Sequence, residues 1–169
     1  MPQNPGHDGQ EPWWKGTRGE WLVIWQFVLM GLVFFGPRAI GGFPAWPFPF
    51  PETCLRLGDV LMVAGGVLFV SGLVRLGPAL TAMPMPKEGA PLVQHGPFRL
   101  VRHPIYSGVV VLGIGYALAT QGWLTLGYAA LLFGLLDVKS RREERWLVER
   151  FPEYPEYQRR VRRLIPFLY

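Results

Sequence analysis

A single cysteine, Cys54, stands in 169 residues, so no intramolecular disulfide framework is available. Charge is scarce too: 17% of residues are Asp, Glu, Lys or Arg, against 50% hydrophobic, and the mean hydropathy is +0.19. Intrinsic disorder needs the opposite balance, and an ordinary soluble domain carries about 25% charged residues. Soluble cofactor signatures are missing: no GxGxxG follows a strand, and Walker, HExxH and GxSxG sequences are absent. His7, His95 and His103 lack metal-ligand spacing with cysteine or carboxylate partners, so no metal is expected. The length suits one domain rather than a doubly wound nucleotide-binding fold with a second domain. These exclusions leave a small integral membrane protein, read as one unit over residues 1–169.

What is present is a stretch from Ile105 to Leu136 without one charged residue or histidine. As a single helix its 32 residues would be roughly 48 Å long, too long for a hydrocarbon core of about 30 Å. Thr120-Gln121-Gly122 interrupts it, which predicts two short helices folded back as a hairpin. Two spans precede them: Trp21 to Phe35, broken only by Gln26, and Leu57 to Leu76, with Asp59 and Arg75 near its ends. The expected fold is therefore all-α and polytopic, with four short transmembrane helices and a helical tail.

The net charge of +5 and pI near 9.7 do not mark a nucleic-acid binder, because nine of 17 Lys and Arg lie after residue 138. With this tail in the cytoplasm, Lys15, Arg18, Arg75, Lys87, Arg99 and Arg102 fall there too, and Arg38 and Arg56 outside. Both termini are expected to be cytoplasmic. Residues 1–20 lack an apolar signal-peptide core and read as a polar cytoplasmic N-terminus, 21–76 as the first two spans, and 77–169 as a functional core. Trp13, Trp14, Trp21, Trp123 and Trp146 fall at expected helix ends, and the Pro-aromatic run from Phe43 to Pro51 reads as a stiff outer loop at the interface.

The hairpin brings two cytoplasmic blocks together, Pro91 to Tyr106 and the tail from Lys139 onward. Pro104 suits a first helical position, where the helix terminus offers N–H groups to an anion; the plainer alternative is a proline cap flanked by headgroup-anchoring basic residues. Lys139/Glu143 and Arg145/Glu149 are spaced one helical turn apart, a pattern that also suits a surface ion-pair ladder. Phe151, Tyr154, Tyr157, Val161 and Leu164 recur every three or four residues, which fits a segment lying on headgroups or closing over a cytoplasmic pocket. Small-residue steps at Gly113–Ala117 and Ala130–Gly134 permit close helix contacts.

Taken together, Leu92-Val93-x-His95-Gly96-Pro97-Phe98, Arg102-His103-Pro104-x-Tyr106-x-Gly108, an apolar hairpin, Glu143-Glu144, and Phe151-Pro152-x-Tyr154-x-x-Tyr157 with Val161 and Pro166 form one ordered pattern. It resembles the isoprenylcysteine carboxyl methyltransferase family, whose C-terminal core is shared with phospholipid N-methyltransferases. The resemblance covers roughly residues 57–169. It implies an integral membrane methyltransferase using S-adenosylmethionine, with a lipophilic or prenylated substrate reached from the bilayer.

Carried over by position, it implies cofactor contacts from Ala90, Pro91, Leu92, Val93, Phe98, His103, Pro104, Ile105, Tyr106 and Glu143. Chemically, a sulfonium and an amino group need carboxylate or π-face neighbours, which Glu143 supplies, and the cofactor carboxylate needs Arg102 or the helix terminus. Lys139 aligns where eukaryotic members carry an arginine that orients the substrate carboxylate; it keeps the charge and loses the bidentate fork. Phe98 stands where a tyrosine is common. Attack by a carboxylate needs no general base, whereas a protonated amine would need one, for which Glu144 or His103 is within reach. The expected acceptor is thus an isoprenoid carboxylate, with phospholipid N-methylation or thiol S-methylation as alternatives. Two readings of other classes are a non-enzymatic four-helix membrane protein and a sterol-reductase-like protein using a nicotinamide cofactor.

Overall fold

A computed structural model describes residues 19–41, 46, 48–81 and 89–169. The expectations placed on His7, Trp13, Trp14, Lys15, Arg18, Lys87 and on residues 43–45 and 47 of the Pro-aromatic loop lie outside these residues.

Five α-helices follow in order: α1 (Glu20–Phe35), α2 (Pro51–Leu76), α3 (Pro104–Ala119), α4 (Trp123–Arg150) and α5 (Tyr154–Arg160), with no strand among the described residues. Among the described residues only α2, extended by the turn Gly77–Ala79, is both long and apolar enough to cross a membrane, at a mean hydropathy of 2.0. Helices α1 and α3 are apolar but have 16 residues each, about 24 Å. Helix α4 has 28 residues; its first half is apolar and its second half is the charged extension expected beyond Leu136. Helix α2 starts six residues ahead of the expected Leu57, because Pro51 is well suited to a first turn where its missing N–H has no intrahelical partner.

The break between α3 and α4 falls at Thr120-Gln121-Gly122, as expected. Its left-handed residue is Gln121 (φ +54°), and Gly122 is needed for space: a Cβ there would meet Thr125 Oγ1 at 2.5 Å. The closest packing of α3, however, is against α2. Gly58, Gly65 and Gly72 recur every seven residues on α2 and face Gly115, Gly108 and Ile105 of the antiparallel α3. A Cβ on Gly65 would lie 2.7 Å from the Leu112 nitrogen, and one on Gly108 would lie 2.6 Å from the Phe69 nitrogen. The expected steps play lesser parts: Gly113 makes ordinary contacts with Val33 and Ala129, and Gly134 faces open space. Helix α4 crosses α1 and α3 over a core of Val33, Val109, Val110, Ala129, Leu132 and Leu136.

This arrangement makes two glycines behave oppositely. Gly65→Ala should lower the unfolding midpoint in detergent by an amount equivalent to about 1–3 kcal/mol, because only backbone movement relieves the clash. Gly134→Ala should be neutral or raise it, since alanine favours the helix and meets nothing. Equal midpoints for the two variants would contradict backbone contact between α2 and α3.

Candidate active site

The charged end of α4 and the loop leading into α3 enclose a cavity of about 300 Å³, at the small end of ligand-binding pockets. Ala90, Pro91, Leu92, Val93 and Phe98 form one wall, His103, Pro104, Ile105 and Tyr106 another, and Lys139 and Glu143 project from α4. Arg102 also borders it. Every residue expected to contact cofactor, and the one expected to orient substrate, therefore lines one space. Gln26, Phe27 and Met30 of α1 and Phe69, Leu73 and Leu76 of α2 complete the apolar side. Spacing in the core motifs did not mark these last residues; the available signal was Gln26, the one polar residue between Trp21 and Phe35.

The tail closes the cavity rather than lying flat on headgroups. Phe151, Tyr154 and Tyr157 line it, and Tyr154, Tyr157 and Leu164 are buried. Pro155 falls in the first turn of α5, so the chain bends after Arg150 and restarts. Tyr157 donates to the Phe98 carbonyl at 2.5 Å. Backbone N–H groups of Arg102 and His103 donate to the carbonyls of Arg162 and Arg163 at 2.8 and 3.1 Å, and Ser107 Oγ donates to the Leu164 carbonyl at 2.7 Å.

Beneath this closure sits a buried ion cluster centred on Glu144. Arg102 grips the carboxylate through Nε at 2.7 Å and Nη2 at 3.1 Å, a forked pairing. His103 Nε2 lies 3.1 Å away, and Gln158 Nε2 and Arg163 Nε donate at 3.0 and 3.3 Å. Burial alone would raise the Glu144 carboxyl, but the hydrogen bonds from His103 and Arg102 hold it far below the ordinary range. Glu144 thus ties loop to tail, and its low basicity gives no support to the role of base. Arg102 is likewise committed: Nη1 donates to the carbonyls of Gln158, at 3.1 Å, and Val161. With its fork on Glu144, Arg102 is an organiser of the wall, and a bound carboxylate is left to other donors such as the α3 terminus.

Glu143 faces the cavity instead. Its Oε2 accepts from the Tyr106 hydroxyl at 3.0 Å and lies 3.7 Å from His103 Nδ1. Burial raises its carboxyl, opposed by the His103 charge, the Tyr106 hydrogen bond and Lys139. The His103 and Tyr106 rings stack with planes 1° apart and centroids 5.4 Å apart. Lys139 is 1% exposed, sits 5.2 Å over the Tyr106 ring and donates to Gln26 Oε1. Burial lowers its pKa to about 8 against the attraction of Glu143. The two one-turn pairs therefore differ: Lys139 and Glu143 point inward, Arg145 and Glu149 are exposed, and the i,i+4 ion pairs formed among the described residues are Arg141–Asp137 and Arg160–Glu156.

Fold and site define a helical protein that encloses a mostly apolar cavity between a His-Pro helix start and an acidic, tail-covered helix end. The chain belongs to the phospholipid methyltransferase family, whose sequence profile matches residues 53–154. It is 31% identical over 154 residues to the cobalt-zinc-cadmium resistance protein CzcN of Cupriavidus metallidurans, covering 89% of this chain and 63% of that protein. It is 29% identical over 111 residues to the Arabidopsis thaliana steroid 5-alpha-reductase DET2 (63% and 42% covered). It is also 28% identical over 116 residues to a probable protein-S-isoprenylcysteine O-methyltransferase of Oryza sativa (66% and 61% covered). The chain thus spans less than two thirds of the length of these relatives.

Proposed function

We propose that the protein transfers a methyl group from S-adenosylmethionine to a lipophilic acceptor at the membrane, by carboxyl O-methylation of an isoprenylcysteine-like or other isoprenoid acid. The observation that carries this is the convergence of Ala90–Val93, Phe98, His103–Tyr106 and Glu143 on one cavity. The residues fit the cofactor: a carboxylate on a small apolar cavity suits a sulfonium and an ammonium, and Leu92, Val93 and Phe98 suit its flat uncharged portion. When bound, the cofactor supplies an electrophilic methyl group. The chain contributes positioning and exclusion of water, through the Glu143–Tyr106 pair below and the Tyr154–Tyr157 closure above. A carboxylate acceptor has no proton to lose, so the absence of a basic Glu144 is no obstacle.

In this reading α1 to α4 span the membrane, both termini are cytoplasmic, residues 77–169 hold the cofactor, and the acceptor arrives through surrounding lipid. Phospholipid N-methylation is the second reading, because the matched family is named for methyl transfer to phospholipid. Kinship with steroid reductases raises a nicotinamide cofactor as a third, but Glu143, the acidic group on the cavity lining among the described residues, would oppose a pyrophosphate placed beside it. Calorimetric titration of the detergent-purified chain should show heat with S-adenosylmethionine and S-adenosylhomocysteine and none with NADPH; the reverse result would sink the proposal. Methyl label transferred to a lipid extract should be released by mild alkali, as an ester is, whereas alkali-stable label would assign an amine or thiol acceptor.

A further inference from the structure

Lys139 is a buried ammonium, and among the described residues no carboxylate lies within ion-pair distance of it. Its hydrogen-bond partner is Gln26 Oε1, and its other neighbour is the Tyr106 ring. An ammonium cannot accept a hydrogen bond, so this contact fixes which way the Gln26 amide points: oxygen to Lys139, NH₂ away from it. The NH₂ end has only a weak contact, with Met30 Sδ at 4.0 Å. Both side chains line the cavity. Side by side they therefore offer N–H donors from the ammonium and the amide, with the Gln26 oxygen already engaged by Lys139, among the apolar residues Phe27, Met30 and Leu136. Glu143 lies one helical turn along α4 from Lys139, so the cavity presents an anionic point and a cationic point about 6 Å apart.

We infer that Gln26, beside the Lys139 to which the resemblance already assigns an orienting role, completes the receptor for the acceptor's carboxylate and so sets acceptor class, an inference that rests on the methyl-transfer reading above. A carboxylate has two oxygens and needs donors only, so one oxygen can take the ammonium and the other the amide. A protonated amine meets a like charge in a water-poor wall, and a neutral thiol leaves buried donors unsatisfied. The spacing along α4 sets the acceptor's negative charge beside the place where Glu143 draws a positive one. Helix α1 precedes the family-matched residues 53–154, so this determinant is supplied from outside the matched segment.

The test is equilibrium binding of N-acetyl-S-farnesylcysteine and of its carboxamide to the full chain in detergent, without methyl donor. The wild type should bind the carboxylate at least about 10-fold more tightly than the carboxamide. Gln26→Leu should reduce that preference to within about threefold, and Gln26→Glu, which gives Lys139 an internal counter-charge, should abolish it. Gln26→Leu/Lys139→Met removes the buried charge together with its partner; it should fold and bind both probes alike. Equal binding of the two probes by the wild type, or an unchanged preference in Gln26→Leu, overturns the inference. A wild type that prefers the carboxylate but binds no S-adenosylmethionine would instead overturn the methyl-transfer reading and leave this receptor standing.

Discussion

Glu144→Ala should release the C-terminal segment from the body of the protein and destabilise the fold by about 3–5 kcal/mol, because it leaves buried charges without their counter-ion. Arg102, His103, Gln158 and Arg163 converge on this carboxylate, and both it and Arg102 are almost completely buried. Limited proteolysis should cut the variant near α5 under conditions in which the wild type is resistant, and thermal unfolding should shift downward. A wild-type cleavage pattern would show that the pairing of Val101 with Arg162 and the burial of Tyr154 and Tyr157 hold the tail without it. The same cluster gives a direction with pH. The unfolded chain takes up this proton near 4.5, while the folded chain resists it to much lower pH. The stabilisation is thus complete above about 4.5 and is lost as the pH falls further. Glu144→Gln should be less stable at neutral pH and show a shallower acid-side decline.

Glu143→Ala should weaken S-adenosylmethionine binding by about 100-fold, the loss expected when one partner of a desolvated charge pair is removed. S-adenosylhomocysteine, which lacks the sulfonium charge, should lose less, so the ratio of the two affinities reports whether Glu143 faces the sulfonium. Burial raises the Glu143 carboxyl, so the empty site holds its proton to higher pH than a free glutamate would. A cationic ligand favours the ionised form, and its affinity should rise with pH through that range and then level off. Calorimetry between pH 5 and 8 on wild type and Glu143→Gln measures this; a pH-independent wild type, or an unchanged affinity in Glu143→Ala, would remove Glu143 from the cofactor site.

Much of this site was legible in one dimension because its pieces are local. Arg102-His103-Pro104 starts a helix wherever it precedes an apolar run, and Glu143-Glu144 sits on an amphipathic extension whose register is set by 3.6 residues per turn. Antiparallel geometry then brings the two together. The division of labour between adjacent residues was not legible. Glu143 and Glu144 point about 100° apart around α4, so one enters the cavity and the other the ion cluster, and which does which depends on where α3 and the tail lie. Arg102 was equally ambiguous, since a guanidinium suits a ligand carboxylate as well as Glu144, and only the returning tail commits it.

Composition and periodicity by themselves determined an all-helical chain, the positions of four long helices and the break at Thr120-Gln121-Gly122, because each depends on neighbours within a turn or two, while the resemblance carried by the ordered motifs pointed to the residues that line the cavity. Tertiary structure alone decided that α3 packs most tightly on α2 through facing glycines, that the tail closes the cavity, and that Gln26 meets Lys139 across 113 positions. Contacts between distant residues are set by how whole helices fit, and that fit depends on shape across the interface, which no local pattern encodes.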